Sequence, residues 1–368
     1  MAHSARLWQD MNARTGRETG YRRRGILFLC QDAAEAARME GWQCDAMPHQ
    51  LGTRFLSGQQ VADLLPQSGR RWAAGLYTPS DGQAEPAYAA PAIAEAARAR
   101  GAGIQTRCAV RGFETTAGRL SAVVTERGPI RCGAVVLAGG AWSSLFLGRH
   151  GLALPQWKIL ASVLRTAPAA DGPDLAAGGA GFGFRKRLDG GYTIANLGGE
   201  VADIVPDTLR FLPDFAATAL AHWRRTRPRL GGRSWREARL PRHWALDAPS
   251  PFEAVRVLDP KPHLPGLRAA QKALADAIPF FRDVRPVQGW GGMIDVTPDL
   301  IPVMSGVEQV PGLYVATGFS GHGFGMGSGA GQLMADLVAE DTPVVDPAAF
   351  RFSRFAERPR PRPSATAL

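Results

Sequence analysis

The stretch that most constrains this chain is Gly318-Phe319-Ser320-Gly321-His322-Gly323-Phe324-Gly325-Met326-Gly327. It follows an apolar strand candidate, Gly312 to Thr317, and precedes a helix expected over Ser328 to Ala339. Glycines at this density leave backbone N–H groups unshielded, and the following helix adds partial positive charge at its start. A loop of this kind suits an oxygen that bears negative charge, such as the pyrimidine carbonyl of a reduced flavin or a phosphate.

A second strand runs into glycine at Val135-Val136-Leu137-Ala138-Gly139-Gly140, followed by Ala141-Trp142-Ser143. In open sheets an apolar strand that ends in paired glycines often faces a cofactor. The chain has 368 residues, enough for two or three domains at about 150 residues each. Apolar residues make up 45% of it, which fills a real core and excludes disorder as the main state. No apolar run approaches the ~18 residues of a membrane span, and no secretory leader is visible.

Arginine-rich positive charge, +10 net, is scattered, with local clusters at Arg22 to Arg24 and at Arg224, Arg225, Arg227 and Arg229. No interleaving of aromatic and basic residues marks a nucleic-acid platform. Cys30, Cys44, Cys108 and Cys132 form no CxxC pair and have no zinc spacing, so they read as buried free thiols and no metal is expected.

Periodicity places helices at 4–14, 32–40, 59–65, 87–100, 213–226 and 266–278. Strands are expected at 25–30, from Ile104 to Thr106, at 108–114, 120–126, 130–137 and 158–165, and in a hairpin of Phe182–Lys186 with Tyr192–Ala195. The three segments between 108 and 137 read as one antiparallel meander. A strand-and-turn pattern resumes at Trp290. The fold class is α/β plus a mixed β-sheet.

The stretch Gly289 to Glu340 resembles the C-terminal signature of the D-amino-acid-oxidase superfamily of FAD-dependent oxidoreductases. The matching pieces are Gly289 to Asp299, Ile301-Pro302-Val303, Gly312-Leu313-Tyr314, the glycine-rich loop, and Gly331 to Leu337. Gly75 to Pro79, Asp81-Gly82, Glu85-Pro86 and residues 135–144 extend the likeness. Sarcosine oxidases, glycine oxidases and D-amino-acid dehydrogenases are nearest in look.

The resemblance implies an FAD-binding domain interleaved with a substrate domain. Residues 1–16, 76–156 and 291–356 fall to the FAD domain, 17–75 and 157–290 to the substrate domain, and 357–368 to a disordered tail. It implies non-covalent FAD, held by Val110 near the adenine, by Gly139, Gly140 and Trp142 along the dinucleotide, and by Gly321 to Gly327 at the isoalloxazine. It implies hydride transfer from the α-carbon of an amino acid or secondary amine to flavin N5, with an imine that water hydrolyses. His322, Tyr192, Arg185 and Trp290 are the candidates for contact with substrate. A cytoplasmic protein is expected, with association to the inner membrane face left open.

Three departures matter. Family members carry a carboxylate-binding arginine where Ile294 aligns, a flavin-linking cysteine where Gly292 aligns, and an oxygen-activating lysine where Gly325 aligns. The last favours a dehydrogenase that passes electrons to an acceptor other than oxygen. The GxGxxG unit that grips the FAD pyrophosphate is absent from the sequence, so the chain reads as N-terminally truncated and FAD binding is expected to be weak. The alternative is a non-catalytic or decayed flavoprotein-like chain, or one subunit of a heteromer.

Overall fold

The computed structural model describes residues 1–46, 52–222 and 226–357. Helices α1 (Ala2–Gln9) and α2 (Met11–Thr15) open the chain, and α2 stops at Gly16 in the left-handed conformation. Then come β1 (Arg22–Arg23), β2 (Ile26–Cys30), α3 (Ala33–Ala46), β3 (Arg54–Ser57), α4 (Gly58–Leu64), β4 (Ala74–Thr78), β5 (Gly82–Gln83) and α5 (Pro86–Ala99). Helix α4 starts where it does because Ser57 and Gln60 form a reciprocal capping box. Pro86 opens α5, a position where its missing N–H costs nothing.

The middle of the chain holds β6 (Val110–Thr116), β7 (Arg119–Thr125), β8 (Gly128–Arg131), β9 (Val135–Leu137), α6 (Ser143–Arg149), β10 (Trp157–Thr166), β11 (Ala176–Gly179), β12 (Phe182–Lys186), β13 (Tyr192–Asn196) and β14 (Glu200–Asp203). After these lie α7 (Pro206–Arg210), α8 (Leu212–His222), β15 (Thr226–Arg229), α9 (Gly232–Ala238), α10 (Pro251–Ala254), α11 (Leu264–Ala277), β16 (Pro286–Val296), β17 (Val303–Gly306), β18 (Leu313–Thr317) and α12 (Gly323–Ala339).

Ten strands build one mixed sheet in the order β15-β14-β10-β13-β12-β11-β2-β4-β3, with β16 paired along β10. Alternating side chains give it two faces. One face carries Leu27, Leu164, Phe182, Phe184, Tyr192 and Ile194 and packs on Leu267, Leu274 and Phe281 at and beyond α11. Each of these large side chains contributes about 1.5–3 kcal/mol by leaving water. The opposite face is covered at one end by α3 over Phe28, Cys30 and Leu76. Near its other end Phe211 and Phe215 cover Ile159 and Val296. Between the two covers it stays open.

A three-stranded sheet, β17-β18-β9, lies apart. Strands β18 and β9 run parallel, with Val315 opposite Leu137. One face packs on α6 and the β6-β7-β8 meander through Phe113, Leu120, Phe146 and Leu147. The other packs on α12 through Met304, Ala330, Leu333 and Met334. The outer edge of β9 has no neighbouring strand among the described residues, and Val136 is 41% exposed.

Several expectations need correction. No strand forms from Ile104 to Thr106; residues 101–107 are exposed and pair with no strand among the described residues. The segment 130–137 is two strands, because β8 completes the meander while β9 joins β18 in another sheet. The helix expected over 213–226 is described as far as His222, and Thr226 already belongs to β15; residues 223–225, with Arg224 and Arg225, lie outside the described residues. The disordered tail expected at 357–368 likewise lies outside them from residue 358 on. The domain boundaries expected at 75/76 and 290/291 fall inside β4 and β16, both strands of the ten-stranded sheet. Among the cysteines only Cys30 is buried, and Cys44 is exposed.

Candidate active site

Strands β9 and β18 end side by side; β18 runs directly into Gly318, and β9 reaches Gly139 after Ala138. After β18 the chain turns through left-handed conformations at Gly318 (φ +74°), Ser320 (φ +51°) and Gly321 (φ +91°). A Cβ on Gly318 would lie 2.4 Å from Thr297 Cγ2, so no larger residue fits there. Ser320 is held in its unfavourable conformation by its N–H to the Asp295 carbonyl (3.0 Å) and its hydroxyl to the Gly318 carbonyl (3.2 Å).

Helix α12 begins at Gly323, five residues before the expected start, so Gly323 to Gly327 are first-turn helix rather than loop. The reason is tertiary. Ser4 of α1 bonds to the Met326 carbonyl and the Gly329 N–H, and Trp8 Nε1 donates to the Gly325 carbonyl (3.1 Å). Trp8 also packs on Phe324, ring centres 5.1 Å apart. These contacts outweigh the poor helix propensity of glycine. The N–H groups of Gly321, Gly323, Phe324 and Gly325 have no hydrogen-bond partner among the described residues. The anion-facing character expected of 321–327 therefore rests on one loop glycine and a helix start.

Beneath the loop lies a buried polar knot. Asp295 Oδ2 accepts from the Gly318 N–H (2.6 Å), the Thr317 hydroxyl (2.9 Å) and Gln156 Nε2 (3.2 Å). Ser143 donates to Thr317 Oγ1 (3.0 Å), and Gln156 Nε2 also reaches the Gly140 carbonyl (3.2 Å). Ser143, Gln156 and Thr317 are essentially inaccessible to water. The knot ties the Gly139–Gly140 turn, the Gly318–Gly321 loop and β16 into one body. Nothing in the local sequence announces it, because its members come from four separated segments.

The open face of the large sheet meets this loop at Ile294, whose Cδ1 lies 3.7 Å from where a Gly321 Cβ would stand. Register and alternation put Ala161, Val163, Thr193, Ala195, Gly183, Trp290 and Gly292 on that face. Most are small and only partly covered, and Trp290 is 38% exposed. The result is a shallow apolar trough with Trp290 standing beside it. His322 caps α12 and is exposed; its side chain has no hydrogen-bond partner among the described residues.

Of the expected substrate contacts, Tyr192 lies on the other face of the sheet, and Arg185 lies on the trough side with its guanidinium taken. Tyr192 is wholly buried on the α11 side of the sheet, and its hydroxyl donates to the Pro173 carbonyl (3.1 Å). Burial pushes its pKa up to about 12. Alternation along β13 decides this, since Thr193 faces the trough in its place. Arg185 does point to the trough side, but Glu85 takes its guanidinium in a bidentate pair (2.9 and 3.0 Å). Glu85 stands a hundred residues upstream, at the start of α5, beyond the reach of any local pattern. Trp142 meets Phe252 edge-on at 5.5 Å and lies 5.8 Å from Lys158 Nζ. Val110 begins β6 opposite Thr125, in the separate meander.

The residues present fit the ring end of a flavin. Free amides from Gly321 and the α12 start supply donors for an anionic ring oxygen, and the trough matches a flat apolar body. No group of three or more metal-ligating side chains occurs among the described residues.

The family profile DAO, described as FAD dependent oxidoreductase, matches residues 1–337. An L-amino acid deaminase from Proteus myxofaciens, solved in complex with anthranilate, superposes with a TM-score of 0.92 at 31% identity, covering 96% of this chain and 80% of that one. A D-amino acid dehydrogenase from Bradyrhizobium diazoefficiens is 25% identical over 95% of this chain and 71% of that protein. A glycine oxidase from Pseudomonas aeruginosa is 26% identical over 66% of this chain and about half, 51%, of its own length.

Proposed function

Because the chain belongs to the DAO family of FAD-dependent oxidoreductases, we propose that it oxidises the C–N bond of an amino acid or secondary amine. The observation that carries this reading is the convergence of two glycine turns, locked by one buried knot, beneath a trough of small apolar residues. Similarity to amino acid deaminases and dehydrogenases supports the substrate class.

FAD, when bound, supplies the acceptor for a hydride from the substrate α-carbon. The chain's own residues bind, orient and exclude water. The N–H groups of Gly321 and Gly323 would donate to the ring oxygen on which negative charge develops. Val163, Ala195, Gly292 and Trp290 would hold the substrate's apolar body against the ring and keep bulk water away. His322 would donate from its imidazole to the ring or the substrate. Arg185 and Glu85, the charged pair on the trough side, are bound to each other, and no acid or base is required if the amine binds with its nitrogen neutral. With glycine at 325 the reading favours an electron acceptor other than oxygen.

The test is anaerobic bleaching of the visible flavin band in the FAD-loaded chain. The panel holds D-amino acids, L-amino acids and N-methyl amines, each followed by air or a dye acceptor. The reading expects bleaching by one class and faster reoxidation by dye than by air. A loaded chain that none of the three classes bleaches would overturn it.

A further inference from the structure

We propose that Asp295 is the positioning residue that sets the shape of the glycine loop. Its Oδ2 gathers three donors, and the Gly318 N–H at 2.6 Å is the shortest. Its main-chain carbonyl takes a fourth, the Ser320 N–H. One residue therefore fixes both ends of the Gly318–Ser320 bend, the first through its side chain and the second through its backbone. Those are the two positions where the turn enters left-handed space before Gly321.

The charge on Asp295 has no cationic partner among the described residues; no ion pair includes it. Its compensation is the dipoles of Gly318, Thr317 and Gln156. Three donors converging on one oxygen suit an anion, since hydrogen bonds to a charged acceptor are about twice as strong as neutral ones. The reach is equally specific. Asp295 sits on β16 next to Ile294, which touches the loop from the trough side. A shift of Asp295 would move the loop against the sheet and redirect the free amides of Gly321 and Gly323.

The consequence for cofactor binding rests on the reading of this loop as flavin-facing, while the effect on loop shape does not. The experiment separates them. Amide hydrogen exchange is measured for 317–322 in the full chain without cofactor, for the parent, Asp295→Leu, Asp295→Asn and Thr317→Val. Asn keeps an acceptor at the Oδ2 position, and Val keeps the Thr317 shape while removing one donor.

Exchange at Gly318 and Ser320 should accelerate on the order of 10- to 100-fold in Asp295→Leu. Asp295→Asn, which keeps an acceptor but loses the charge, and Thr317→Val should both fall between Asp295→Leu and the parent. Leu274→Ala, in the distant core, should lower the melting temperature without singling out these amides. FAD titration of the same set, read by flavin fluorescence, should show affinity falling about tenfold in Asp295→Leu and recovering in Asp295→Asn. Unchanged exchange in Asp295→Leu, or Asp295→Asn as fast as Asp295→Leu, would overturn the proposal. If Asp295→Leu fails to fold, parent-like exchange in both Asp295→Asn and Thr317→Val would overturn it too. A parent that binds no FAD would defeat the functional reading and leave the exchange result to decide the role of Asp295.

Discussion

The ten-stranded sheet and the three-stranded sheet solve different problems. The large sheet closes a continuous core over one face, from Leu27 across Phe184 and Tyr192 to Phe281, and leaves the other face partly bare. The small sheet is covered on both faces but open at the edge of β9, and the two glycine turns leave from its strand ends. The larger continuous apolar core lies in the first region, and the glycine turns lie in the second. Strand β16 joins them, because its Ile294 belongs to the trough and its Asp295 to the knot.

Removing a large core residue tests that division most strongly. Phe281→Ala empties a site packed by Phe184, Tyr192 and Phe280 and should cost about 3–5 kcal/mol in chemical denaturation. Arg354→Ala strikes the other region. It strands the buried Asp299 carboxylate, now paired at 2.8 and 3.1 Å, and should cost a similar 3–5 kcal/mol. If the two regions unfold as one unit, both variants shift a single transition. If they are separable, Arg354→Ala splits off an early transition that Phe281→Ala leaves in place.

The pH dependence is a smaller effect confined to the second region. Burial against Phe113 and Phe146, aided by Arg149, lowers the His150 imidazole to about 4. The unfolded chain takes up that proton near the ordinary 6.5, so the native state loses stability as pH falls from 6.5 towards 4. Above 6.5 the group contributes no slope. His150→Gln should recover about 1–2 kcal/mol at the acid end relative to the parent, allowing for the partial exposure of the ring. An acid limb unchanged by the substitution would place the proton uptake elsewhere.

The smallest effect sharpens the boundary between stability and chemistry. Arg185→Gln breaks the Glu85 pair and should cost about 1–2 kcal/mol. With amino acid substrates it should leave KM close to the parent value, because the guanidinium is already taken. A large rise in KM with unchanged stability would return Arg185 to the substrate site.

Much of the large sheet was legible because alternation and turn chemistry are local. The hairpin of Phe182–Lys186 with Tyr192–Ala195 forms as expected and extends by one residue to Asn196. The glycine turns were legible for the same reason. What stayed hidden depended on partners far along the chain. The early start of α12 needs Ser4 and Trp8, and Arg185 is claimed by Glu85. Tyr192 shows a different limit: its strand was visible, but the face it presents depends on where α11 packs. The Gln156–Asp295–Thr317–Ser143 knot carries no motif and exists only when four segments converge.

The loop after β18, read as holding the ring end of a flavin, can be probed by flavin titration. Titrating the purified chain with FAD and with riboflavin, alongside Gly321→Val, tests that reading most directly. Riboflavin keeps the ring and lacks the pyrophosphate. Both flavins should be quenched with affinities within about tenfold of each other, and both should be lost in Gly321→Val, whose left-handed backbone a β-branched residue strains. Binding of FAD alone that survives Gly321→Val, or quenching of neither flavin by the parent, would contradict it.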